Sequence, residues 1–167
     1  MCGIIEGKSH SNKGNVPSGI HNGRIRIDRT LNTGSYDDIY LEKFCRQILE
    51  KDYFIRSAKI ADHLGHIIAS AYTPGLIELM SPEVTERAAV QAAIRFATRD
   101  KFKSKIGDLL FSISRYSKEV RATIPIQDSN TKSRFLLLLT FYKDAEADFI
   151  ILKKILPFIA DNKEYFL

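Results

Sequence analysis

Removal of Met1 would expose Cys2 as a nucleophile with its own amine as base. His63 and His66 flank a turn with Asp62, a spacing that could start a metal site, but no further Cys or carboxylate cluster completes it. That turn reads as a solvated one, with no metal. Cys45 falls among apolar residues at helical spacing and reads as core. No glycine-rich loop joins a strand to a helix, so neither a P-loop nor a dinucleotide fingerprint is present and no cofactor is expected. The densest polar cluster is Arg95, Arg99, Lys101, Lys103 and Lys105, followed by Arg115, Lys118 and Arg121. It could meet an acidic partner, a nucleotide phosphate or nucleic acid. The plainer reading is a solvated helix end, where cations suit the dipole, because no nucleic-acid motif accompanies the charges.

These residues need elements to hold them. Ser35 can cap a first helix, with Asp37 and Asp38 in its first turn. Leu41, Phe44, Cys45, Ile48 and Leu49 then fall on one face. Strands are expected over 54–60 and 66–72, joined by the Asp62-His63-Leu64-Gly65 turn, where Gly65 suits positive φ. Ser81 and Pro82 open a second helix that runs to about Asp100. Its apolar side is mostly alanine (Ala88, Ala89, Ala92, Ala93, Ala97), with Val84, Ile94 and Phe96. Three more strands are expected, over 107–114, 119–126 and 134–142. The last is apolar on both faces, through Phe135 to Leu139 and Phe141, and so belongs at the centre of the sheet. Asp148 is expected to cap a final helix carrying Ile151, Leu152, Ile155 and Ile159 on one face, and Pro157 to kink it or end its regular part. The expected class is α/β (α+β): a single five-stranded antiparallel sheet with helices, in the order α-β-β-α-β-β-β-α.

The chain has 167 residues, which suits one domain with one core. Charge is uneven. Residues 1–34 hold five cations against two carboxylates, so they carry +3 of the net +5. They also hold six of the nine glycines. This stretch reads as a flexible basic arm that buries too little apolar surface to offset its ordering entropy, leaving 35–167 as the domain. No apolar run is long enough for a transmembrane helix, and the polar start lacks an apolar signal region. Two cysteines are too few for a disulfide framework, and a cytoplasmic location is expected.

The element order, with Ile55-Arg56-Ser57-Ala58-Lys59-Ile60 followed by Gly65-His66-Ile67-Ile68-Ala69, resembles the first hairpin and layout of roadblock/LC7 domains of profilin-like fold. Those segments resemble still more an uncharacterised archaeal family of small profilin-like domains, together with Gly75-Leu76-Ile77, Arg95-Phe96-Ala97-Thr98-Arg99 and residues 107–115. The resemblance covers roughly residues 36–160. It implies a homodimer formed through the second helix and third strand, which gives Val84, Ala88, Ala89, Ala92, Leu109, Phe111 and Ile113 as interface candidates. Its alternative is that the alanines pack on the domain's own sheet. The opening Met1-Cys2-Gly3-Ile4 is similar to that of class II glutamine amidotransferases. Those enzymes need a large four-layer sandwich behind the cysteine, whereas a glycine- and serine-rich stretch follows here.

No catalytic residues are therefore expected. The first functional reading is a non-enzymatic regulatory or scaffold module that dimerises and binds a protein, with a small GTPase implied only by the resemblance. The second is a small-ligand sensor with a pocket between sheet and helices. The third is a weak nucleic-acid binder using the basic arm and helix end.

Overall fold

The computed structural model describes residues 38–127 and 134–166. Ser35, Asp37, the basic arm with Cys2, and most of the 127–133 loop lie outside them.

Helix α1 spans Asp38–Leu49 and buries Leu41, Phe44, Cys45 and Ile48, the face that the spacing marks. Strands β1 (Ile55–Ala61) and β2 (Ile67–Tyr72) form an antiparallel hairpin. Helix α2 spans Pro82–Asp100, and the Ser81 hydroxyl accepts from the Val84 N–H at its start. A short helix α3, Lys103–Ile106, precedes β3 (Ser112–Arg115), β4 (Glu119–Gln127) and β5 (Arg134–Tyr142). All five strands pair antiparallel in one sheet, in the order β2-β1-β5-β4-β3. The doubly apolar β5 is the central strand, as its composition requires.

Two expectations are corrected. The third strand does not span 107–114: only Ser112–Arg115 pairs with β4, and part of the preceding basic stretch, Lys103–Ile106, is helical. Gly107 closes that helical turn at φ 86°, which delays the strand. The last helix begins at Ala147, with Asp148 inside its first turn rather than capping it. Helix α4 (Ala147–Ile150) runs on into a π-helical turn, Ile151–Ile155, and then α5 (Leu156–Asp161). Proline lacks an N–H and its ring crowds the preceding turn. Widening just before Pro157 lets the helix continue through it.

The two sheet faces differ. One packs on α1 and the C-terminal helices around Phe44, Ile55, Leu137, Phe141 and Ile151. Phe166, in a closing 3-10 turn at Lys163–Phe166, meets the Phe44 ring edge-on at 4.9 Å between centroids. The other face receives α2 over a smaller cluster, where Ala89, Ala92, Ala93 and Phe96 meet Ala61 and Leu136. The hairpin turn meets α2 at Gly65, where an added Cβ would run into the Val90 backbone.

Candidate functional site

Strand periodicity makes the α2-facing side of the sheet polar at one end. Along β1, Ser57 and Lys59 lie on this side, while Ala58 and Ile60 belong to the main core. On β5 Thr140 follows Leu136 and Leu138, and on β4 Arg121 and Thr123 alternate with Val120, Ala122 and Ile124. A register shift between Ile55 and Ser57 leaves Arg56 unpaired with β5 and re-aims its side chain. Helix α2 covers the apolar end only. Over the polar end the helix and sheet enclose an open cleft of about 630 Å³.

The cleft floor is a connected polar network. The Ser57 and Thr140 hydroxyls are 2.7 Å apart, joining β1 to β5. The Lys59 ammonium is almost fully buried and donates to Glu78 at 2.6 Å and to Ser57 at 3.3 Å. It also lies 4.7 Å from the Tyr72 ring centroid. Burial raises the Tyr72 phenol above its ordinary value. Beside this floor, Arg56 Nη1 donates to Glu119 Oε2 at 2.9 Å, and Arg121 Nε lies 3.2 Å from Glu119 Oε1. Arg121 Nη1 also points at the Met80 sulfur, 2.8 Å away. Glu119 thus holds two guanidiniums, the geometry that makes buried charge tolerable.

The structure divides the expected basic cluster. Arg95 and Arg99 line the cleft from α2, joined by Lys118 and Arg121 from the far side. Lys101, Lys103 and Lys105 are exposed outside it, and Lys103 pairs with Asp108. The interface candidates are also divided. Ala89 and Ala92 are buried against the chain's own sheet, and Leu109 packs beside them. Phe111 and Ile113 pack against the main core. Ala88 is half-buried in the cleft wall and Val84 is exposed. Ile94, expected on the apolar side of α2, is 61% exposed because the helix packs along the 89-92-93-96 stripe.

His63 is exposed in the hairpin turn. The His66 ring lies 2.9 Å from Asp62 Oδ2, while Asp62 Oδ1 accepts from the Leu64 and His66 N–H groups. Burial works to raise the Asp62 carboxyl, but these hydrogen bonds outweigh it and hold the group below the ordinary carboxylate range. Cys45 is buried, and burial pushes its thiol up to about 12, which makes it an inert core residue. Cys2 lies outside the described residues.

No family profile matches the chain, and no curated protein matches it in sequence. Solved structures do resemble it. MglB of Myxococcus xanthus superposes with a TM-score of 0.60 at 17% identity, over 81% of this chain and 94% of that one. A roadblock/LC7 domain from Streptomyces avermitilis gives 0.55 at 10% identity, over 74% and 95%. An MglB described as having a tetrameric arrangement gives 0.56 at 14% identity, over 73% and 84%. At these identities the likeness is one of fold: the chain has a roadblock/LC7-like α+β fold.

Proposed function

We propose that the chain is a non-enzymatic regulatory or scaffold module that pairs with a second copy through β3 and the neighbouring α2 surface and binds a partner protein. The observation that carries this reading is the state of that edge. The sheet ends on the four-residue β3, and the segment leading to it exposes Phe102, Ile106 and Leu110, the last two 83% and 58% accessible. A sheet edge beside exposed apolar side chains is a ready template for pairing. The roadblock/LC7-like fold and the tetrameric arrangement named for one MglB support an oligomer. A small GTPase is the partner that the resemblance implies, and the archaeal grouping rests on the 55–58, 65–69, 75–77, 95–99 and 107–115 segments. Residues 1–34 carry +3 of the net charge and precede the domain read over 35–167. The low cysteine content favours a cytoplasmic setting.

Sedimentation velocity at tens of micromolar tests the pairing. The wild-type chain should sediment as a dimer, and Leu110→Glu or Val84→Glu, both at exposed positions, should shift it to monomer. A wild-type monomer across that range would count against the reading.

A further inference from the structure

We propose that the cleft between α2 and the sheet binds a small organic anion bearing phosphate or carboxylate groups. Three observations converge on it. Five cationic side chains line the cleft, Lys59, Arg95, Arg99, Lys118 and Arg121, against the carboxylate of Glu119 in its lining and that of Glu78 behind Lys59. Lys59 and Arg121 already have Glu78 and Glu119 as partners. Arg95, Arg99 and Lys118 make no ion pair among the described residues and are available to a ligand.

Hydroxyls are the second observation. Ser112 and Ser114 on β3 and Thr123 on β4 line the cleft beside the mutually bonded Ser57 and Thr140, an array of hydroxyls that suits anionic oxygens. Third, Thr85 on the α2 wall is 6% exposed, and its hydroxyl finds no hydrogen-bond partner among the described residues. Buried hydroxyls are normally satisfied, and this one is closed off in the cleft wall, so a small shift of α2 on binding would let it meet an acceptor.

Size sets the ligand class. A volume of about 630 Å³ lies in the range of small-molecule sites and far exceeds that of a bare phosphate. The ligand therefore carries an organic body, and Leu79, Met80, Ala88 and Leu138 give it an apolar wall. Guanidiniums on the rim and hydroxyls on the floor would fix its charged groups through bidentate and single hydrogen bonds. This site is separate in substance from the pairing reading, although α2 and β3 contribute to both.

The test titrates the full chain with inorganic pyrophosphate and, separately, with citrate, at fixed ionic strength, following amide shifts by NMR. One or both probes should shift the amides of Ser57, Ser114, Thr123 and Thr140 saturably, and the stronger of the two names the anionic group. Arg95→Ala/Arg99→Ala should weaken that binding by about tenfold or more. Thr85→Val, nearly isosteric, should weaken it a few-fold. Lys101→Ala/Lys103→Ala/Lys105→Ala, outside the cleft, should leave it unchanged. No saturable shift with either probe would overturn the proposal, as would equal loss in the triple-lysine variant. Unresponsive cleft amides in a chain that sediments as a dimer would overturn the anion site while leaving the pairing intact.

Discussion

The Arg56 guanidinium on β1 reaches the Glu119 carboxylate on β4 at 2.9 Å, although the central strand β5 lies between the two. Both side chains are about nine-tenths buried, and Arg121 shares the same carboxylate. The bulge at Arg56 makes this reach possible. Glu119→Gln would leave two guanidiniums with a neutral partner in a poorly hydrated place. We predict a loss of about 3–5 kcal/mol in stability, measured by urea unfolding. Arg56→Met in the Glu119→Gln background should recover part of it, since the most buried unpaired charge is then gone. A cost below about 1 kcal/mol for Glu119→Gln would place the pair among weak surface bridges.

Gly65 ties the first hairpin to α2. Its φ is 92°, and an added Cβ would meet the Val90 Cα and N and the Ala89 carbonyl carbon, all backbone atoms. Helix backbone cannot yield as a side-chain tip can. Gly65→Ala combines left-handed strain with overpacking and should destabilise by about 2–4 kcal/mol. Gly75, at φ 74° with open space around it, offers the control. Gly75→Ala should cost only the backbone term, about 1–2 kcal/mol. Equal costs at the two positions would contradict the close approach of hairpin and helix.

Cys45 predicts an alkaline limb. Its thiol is pushed up to about 12 in the fold, from 9.0 in the open chain. The folded state therefore holds its proton where the unfolded state has lost it. The stability linked to this group is complete below about pH 9 and is lost as pH rises toward 12. Unfolding free energy should fall over that window, and Cys45→Ala should flatten the fall after its own cavity cost is subtracted. In a Cys2→Ser background, Ellman's reagent should find no reactive thiol in the native chain and one after unfolding.

Period-two and period-3.6 patterns made much of this architecture legible. Phe44 and Cys45 on α1, the alternation Val120, Ala122, Ile124 on β4 and the doubly apolar β5 all lie where their spacing puts them. The interleaved polar residues Ser57, Lys59, Arg121 and Thr123 were equally visible in the sequence. Their meeting across the sheet was not, because it depends on strand order β1-β5-β4 and on which half of the face α2 covers. The Arg56 bulge was also out of reach, since a one-residue register shift leaves no mark in an apolar-polar pattern. Arg95 and Arg99 looked continuous with Lys101, Lys103 and Lys105, but the α2 end and the turn into α3 part them. The sequence pattern starts the third strand too early because Leu109, Phe111 and Ile113 alternate across the point where pairing begins.

The central claim is that β3 pairs with β3 of a second copy. Four single-cysteine variants, at Ser112, Ile113, Ser114 and Arg115, in a Cys2→Ser background that retains the buried Cys45, test it most directly. Antiparallel self-pairing about a two-fold axis brings a single position directly against its own copy. We expect rapid disulfide-linked dimer at that position under mild oxidation and little at its immediate neighbours. Absence of cross-linking at all four positions, in a chain that sediments as a monomer, would contradict the account.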